Sequence, residues 1–220
     1  MRIAALVFPG MTLLDLIGPI QVWSFLPQID VQYVGVSVAP VASDCGAFIL
    51  ATHRYADAWT DPDVLFVGGA GHPIFDAMAD RDALDFLAAA GRRATWVTSV
   101  CTGALLLGAA GLLQGYRAAT HWAVRERLVE FGAHPSDERV CIDRNRVTGG
   151  GITAGIDFAL SLAGLWQGEE AGKLVELILE YAPQPPFGTG RPEAAGPALV
   201  AQALGMLRPA LPPMREAELG

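Results

Sequence analysis

The chain has 220 residues, of which 52% are hydrophobic and only 17% charged, and it carries a formal net charge of −8. That composition describes a globular chain able to bury one substantial core, and it excludes overall disorder. The acidic balance also argues against nucleic-acid binding through a basic face.

No apolar run reaches the length of a membrane span, and the N-terminus opens directly into a strand pattern without a leader-like segment. A cytoplasmic protein with no membrane partner is expected. Cys45, Cys101 and Cys141 form no paired framework, which suits a reducing compartment. His53, His72, His121 and His134 are scattered, with no CxxC or HExxH spacing, so no metal site is expected. The apolar excess over what one monomer needs to bury points to a homodimer.

Strand and helix patterns alternate along the chain. Residues 2–8 read as a buried strand, and Thr12 is placed to cap a short helix over 13–17, which Pro19 kinks or interrupts before 21–25. A second strand is expected over 31–39, and two apolar pieces in 41–52 flank Ser43-Asp44-Cys45-Gly46 as a hairpin. A third core strand over 63–67 ends in Gly68-Gly69-Ala70-Gly71. An amphipathic helix follows over 82–92, then a strand over 94–100.

Further on, 123–131 reads as a helix closed by Gly132, and two short strands, 140–142 and 146–148, flank a turn at Asp143-Arg144-Asn145. Gly149-Gly150-Gly151 leads into a long apolar helix through Trp166, and 169–181 is helical too. These patterns predict a single α/β domain over 1–182. The Pro/Gly-rich stretch 183–197 forms an arm without regular pattern, followed by a short helix over 199–207 and a Pro-rich tail expected to fray.

Alternating strands and helices imply a mainly parallel sheet covered on both faces, with ligands bound beyond the carboxyl ends of the strands. The segment Ala94-Thr-Trp-Val-Thr-Ser-Val-Cys101-Thr102-Gly103-Ala104 carries the sharpest signal. A β-branched run ends in a cysteine, and a Gly/Ala/Leu-rich helical pattern begins at once. This is the layout of a nucleophile elbow, in which a tight turn lifts the side chain clear of the sheet. The following helix N-terminus is expected to lower the Cys101 pKa. The plain alternative is a small hydrophobe at a strand end.

Three loops should meet at that end of the sheet: 8–15, 68–72 and 101–103. Their convergence would bring Asp15, the Gly68 and Gly69 amides, and Cys101 together. An acid among Leu13, Leu14, Leu16 and Ile17 is expected to be partly desolvated, and a buried acid needs a reason. Thr102 suits a helix start or a hydrogen bond to thiolate or substrate. His72 follows the glycine loop and could line the pocket, whereas His121 beside Trp122 reads as structural.

The elbow Ser99-Val-Cys-Thr-Gly-Ala104, the turn Val67-Gly-Gly-Ala-Gly71 and Asp15-Leu-Ile-Gly-Pro19 together resemble the ThiJ/PfpI superfamily, within it the isocyanide (isonitrile) hydratase branch. Ala109-Ala-Gly-Leu-Leu113, Ala119-Thr-His-Trp122 and Thr148-Gly-Gly-Gly-Ile-Thr-Ala-Gly155 add to the likeness, which covers roughly residues 1–182. The resemblance implies a flavodoxin-like sandwich and a cofactor-independent conversion of a small-molecule isocyanide and water to an N-substituted formamide. It implies Cys101 as nucleophile, Asp15 as its acidic partner and Thr102 as the residue after the nucleophile. Thr102 replaces the histidine found after the cysteine in protease-like members. Asp15 stands where glyoxalase-like members carry glutamate.

The corresponding chemistry is attack of Cys101 on the terminal isocyanide carbon with Asp15 as general acid, giving a thioimidate that water then opens. Gly68, Gly69 and Ala70 would hold negative charge near the reacting carbon through close backbone approach. Two other readings stand beside this one. The chain also looks like the amino-terminal domains of AraC-type regulators, which suggests a non-catalytic small-molecule sensor, although it ends too soon for their helix-turn-helix module. A glyoxalase-like enzyme acting on reactive carbonyls, or an amidase-like hydrolase, keeps the cysteine but changes the substrate.

Overall fold

A computed structural model describes residues 1–207. The expected fraying of the Pro-rich tail lies outside the described residues. The described chain separates into a unit over Met1–Tyr181 and a second segment beginning at Ala182.

The first unit is built on a seven-stranded sheet. Its strands are β1 (Arg2–Leu6), β2 (Asp30–Gly35), β5 (His53–Arg54), β6 (Val64–Val67), β7 (Trp96–Val100), β10 (Val140–Asp143) and β11 (Arg146–Gly149). Their spatial order is β10-β11-β7-β6-β1-β2-β5. All neighbours run parallel except β10, which returns antiparallel to β11 through Arg144 at φ 55. Register is set by Ile3 opposite Val64 and by Val64 opposite Trp96. The central strands bury both faces, which is why they read as unbroken apolar runs instead of alternating ones. Two small ladders stand apart: β3 (Pro40–Ala42) pairs with β4 (Phe48–Leu50), and β8 (Arg117–Ala118) with β9 (His134–Pro135).

Successive residues of β6 show how the two faces are covered, because side chains alternate along a strand. Phe66 packs edge-on against Trp23 of α1 (Leu13–Trp23) at 5.2 Å and stacks on Phe158 of α5 (Ala154–Gln167) at 5.9 Å. Leu65 instead meets Gly91 at the end of α3 (Arg81–Gly91), where a Cβ on the glycine would lie 3.2 Å from it. Helices α2 (Pro73–Ala79) and α4 (Gly103–Ala109) pack with each other, and α4 also packs on α3. Helix α6 (Glu169–Ile178) packs on α5. The buried Trp23 indole is satisfied by donating to the Ala159 carbonyl at 3.1 Å.

Several expected elements differ in detail. Residues 13–23 form one helix with Pro19 inside it, not two pieces. Proline removes one helical hydrogen bond and crowds the preceding turn. Here its ring lies against Gly155 of α5, whose missing side chain leaves room for it. Thr12 occupies the cap position without making a side-chain cap. The Leu13 N–H is instead taken by the Asp44 carboxylate of the β3–β4 hairpin at 3.2 Å, so a distant loop caps α1.

Strand β2 ends at Gly35, and Val36 and Val38 beyond it are exposed. Residues Trp122–Phe131 form 3-10 turns and not an α-helix, with only Val124 and Leu128 buried. Gly132 closes the segment at φ 69. Helix α2 has no counterpart among the expected elements. In the second segment, the stretch expected to be irregular contains a helical turn, α7 (Pro192–Ala195), and the last helix, α8, runs Pro197–Leu207.

Candidate active site

Cys101 lies one residue beyond β7, and its φ of 57 puts it in the left-handed region that side chains other than glycine rarely adopt. The residue is only 4% exposed. Its N–H is shared between the Gly150 carbonyl at 2.8 Å and the Gly149 carbonyl at 3.2 Å. Gly103 permits the sharp departure of α4. A Cβ there would stand 2.4 Å from the Val67 carbonyl oxygen and 2.8 Å from that of Gly68.

Asp15, on the first turn of α1, is fully buried. Its Oδ2 accepts the Gly69 N–H at 2.9 Å, while Oδ1 has no hydrogen-bond partner. Gly68 is what allows this approach, since a Cβ there would stand 3.1 Å from the Asp15 Cβ. The glycine loop is fastened to the elbow by Thr102, whose hydroxyl donates to the Ala70 carbonyl at 2.7 Å and accepts the Ala70 N–H at 2.8 Å. It is fastened to α1 by the Thr12 N–H on the Gly69 carbonyl at 2.9 Å.

The three loops that were expected to converge therefore do so. The amides of Gly69 and Ala70 are spent within the protein, one on the carboxylate and one on the Thr102 hydroxyl. His72 stays outside this bonded cluster, exposed at the start of α2 with its ring edge-on to Phe75 at 5.9 Å. His121 uses Nδ1 to accept the Ala123 N–H at 3.3 Å, and burial holds its pKa below the usual imidazole value.

Electrostatics reverse one expectation. Burial, and then the adjacent Asp15 charge, push the Cys101 thiol well above its ordinary value, although the Thr102 amide pulls the other way. A seven-residue α4 following a deeply buried sulfur does not offset desolvation. Burial likewise raises Asp15 to about 7, against the opposing pull of the Gly69 N–H and of Cys101. Two neighbouring buried acids cannot both ionise cheaply, so the Cys101 thiol keeps its proton near neutrality while the Asp15 carboxyl titrates there.

The sequence analysis missed Thr120, whose hydroxyl donates to the Cys101 carbonyl at 2.7 Å. The Ala119-Thr-His-Trp122 segment was its only signal. Asp44, which caps α1 and whose charge acts on Asp15, was also missed. Cys141 is buried and Cys45 exposed, neither in contact with this cluster. Among the described residues, no group of three or more His, Cys, Asp or Glu side chains is arranged to hold a metal ion.

The site thus holds a cysteine on a left-handed elbow at the end of a parallel strand, together with a buried carboxyl from the first helix. The chain belongs to the DJ-1/PfpI family, whose model matches residues 1–164. Among characterised proteins it is similar to the isonitrile hydratase of Pseudomonas putida, 46% identical over 211 residues that cover 96% of this chain and 92% of that protein. A solved ThiJ/PfpI family protein from Pseudomonas syringae superposes with a TM-score of 0.92 at 42% identity, covering 95% of this chain and 86% of that one. The HTH-type transcriptional regulator GbdR of Pseudomonas aeruginosa is 34% identical over 122 residues, 54% of this chain and 32% of the regulator.

Proposed function

We propose that the protein is an isocyanide hydratase in which Cys101 and Asp15 carry the reaction. The observation that carries this reading is the buried Asp15 carboxyl, with one oxygen fixed by Gly69 and the other free, beside the elbow sulfur. The 46% identity to an isonitrile hydratase across nearly the whole chain supports the same substrate class.

In the first half-reaction the thiol proton passes to Asp15 as sulfur bonds to the terminal isocyanide carbon. Asp15 returns the proton to that carbon, giving the thioimidate R–N=CH–S–Cys101. In the second half, water adds to the same carbon, with Asp15 taking one of its protons and nitrogen gaining a proton. The carbon–sulfur bond then breaks, sulfur is reprotonated, and R–NH–CHO leaves. An acid poised near 7 suits both directions of transfer. The sulfur's burial suits a linear terminal carbon, which presents a single-atom cross-section.

Gly68, Gly69, Ala70 and Thr102 serve in this scheme mainly by holding Asp15 and the elbow, and His72 is left as a residue of the rim. Neither metal nor organic cofactor takes part. The protein works as a cytoplasmic homodimer through apolar residues left exposed on α1, Leu14 and Ile17, and just beyond it, Phe25. The test is formamide production from an aryl isocyanide by wild type and by Cys101→Ala: product from wild type alone supports the scheme, and product from both overturns the covalent route.

The partial likeness to GbdR favours one second reading, a sensor that keeps the reactive cysteine without turnover. Stoichiometric thiol modification by isocyanide with no formamide released would select it. Turnover of glyoxals in place of isocyanides would select the carbonyl-directed alternative.

A further inference from the structure

The left-handed peptide at Cys101 persists only if its surroundings over-determine it. Its N–H is held by the carbonyls of Gly149 and Gly150. Its carbonyl points the other way and has a different partner, the Thr120 hydroxyl at 2.7 Å. Thr120 is 3% exposed, so without that donor the carbonyl would face a protein interior unpaired. The segment is itself anchored, because the Thr148 hydroxyl of β11 accepts the Ala119 N–H at 2.8 Å. Thr148 in turn lies opposite Ser99 of β7, two residues before the nucleophile. A closed loop of contacts thus runs from β7 through β11 and residue 119 back to the Cys101 carbonyl.

We propose that Thr120 is a positioning residue for the nucleophile: its hydroxyl fixes the Cys101 carbonyl and so keeps the sulfur against Asp15. This rests on the reading of Cys101 as the nucleophile. The groups that set titration there are Asp15 from α1, with Asp44 of the hairpin behind it, and the Thr102 amide on the elbow. His121, next to Thr120, packs on Gly151 instead, 3.2 Å from where a Cβ would sit. With the tie removed, the peptide can relax toward ordinary φ and swing the sulfur away from the carboxylate. The thiol then titrates at lower pH, because a neighbouring negative charge has receded.

The experiment compares Thr120→Ser with Thr120→Ala, which differ only in the hydroxyl, and adds Thr120→Val, which keeps the shape. Formamide production gives kcat and KM. The rate of Cys101 alkylation by iodoacetamide is followed across pH by peptide mass spectrometry, with exposed Cys45 as internal reference.

Expected are a fall in kcat of about tenfold or more for the Ala and Val variants, KM within about twofold, and recovery to within about threefold in the Ser variant. The Cys101 alkylation profile should shift to lower pH in Ala and Val only. Wild-type kcat and alkylation in the Ala variant would overturn the proposal. So would a Ser variant as impaired as Ala, since that would mean the methyl group matters and the hydroxyl does not. If wild type makes no formamide, the hydratase reading fails, and the alkylation profiles alone still decide the role of Thr120.

Discussion

Asp15 Oδ2 accepts the Gly69 N–H at 2.9 Å while Oδ1 of the same carboxyl is buried without a partner. One oxygen is spent on position and the other is left for chemistry. Natural proteins keep such an unsatisfied acid at a cost in stability, and that cost yields a sign-definite pH test.

The folded-state pKa of Asp15 is raised from 3.8 to about 7, so the folded protein binds a proton that the unfolded chain has lost across that window. Stability is therefore highest below about pH 4 as far as this group is concerned, and falls as pH rises toward 7. The upper bound on the loss is about 4 kcal/mol, from about 1.36 kcal/mol per unit. Asp15→Asn keeps an acceptor for Gly69 and removes the charge. We expect it to be more stable than wild type at pH 8 by about 1–3 kcal/mol and to lack turnover. Urea melts at pH 5 and pH 8 check this; equal pH dependence in both proteins would contradict it.

Cys101→Ala should remove turnover altogether, because no other thiol lies in the cluster. Cys101→Ser keeps the shape but offers a far weaker nucleophile and should lose at least about 10³-fold in kcat. Single-turnover mass spectrometry on wild type should trap an adduct on Cys101. Its absence throughout turnover would count against a covalent intermediate.

Gly69 and Gly71 sit in the same loop but should respond oppositely to alanine. A Cβ at Gly69 would lie 2.5 Å from the Thr102 hydroxyl oxygen and 2.6 Å from the Thr102 amide nitrogen, whereas one at Gly71 would meet nothing within 4 Å. Gly69→Ala should cost about 2–4 kcal/mol and most of the activity, and Gly71→Ala should stay within about 0.5 kcal/mol of wild type. Thermal melts with parallel assays distinguish the two outcomes.

Thr102→Val removes both hydrogen bonds to Ala70 and leaves the buried Ala70 N–H and carbonyl unpaired. A loss of about 2–4 kcal/mol is expected, with Thr102→Ser restoring most of it. A Val variant as stable as wild type would show that the clamp on the glycine loop is dispensable.

The proposed homodimer is checked by light scattering across a dilution series. Leu14→Glu with Ile17→Glu on the exposed face of α1 should shift the protein to monomer while leaving it folded. A wild-type protein monomeric at every concentration would contradict the expectation.

The architecture was largely legible because buried parallel strands announce themselves as apolar runs, as at Val64–Val67 and Trp96–Val100. The convergence of Asp15, Gly69 and Cys101 followed from where strands of a parallel sheet end. What the pattern could not show depends on partners distant in sequence. Asp44 caps α1 in place of Thr12 across 31 residues, and Pro19 is tolerated inside the helix because Gly155 lies opposite it. The Cys101 pKa followed burial, which sequence shows poorly, and not the helix end, which it shows well. The Ala119-Thr-His-Trp122 segment flagged Thr120 without showing its role, because its partner is a backbone carbonyl 19 residues away.

Pro19 stands four residues after Asp15 and has no N–H, so the Asp15 carbonyl has no donor in the usual helical position. The turn carrying the acid is consequently located by what lies beneath it, Gly68 against Asp15 and Gly155 against Pro19, more than by the helix above it. This separates two kinds of evolutionary change. Leu14, Ile17 and Gln21 on the outward side of α1 can drift to suit a new neighbour, while the acid stays registered on the sheet. The same helix can thus diversify on one side across relatives and remain fixed on the other.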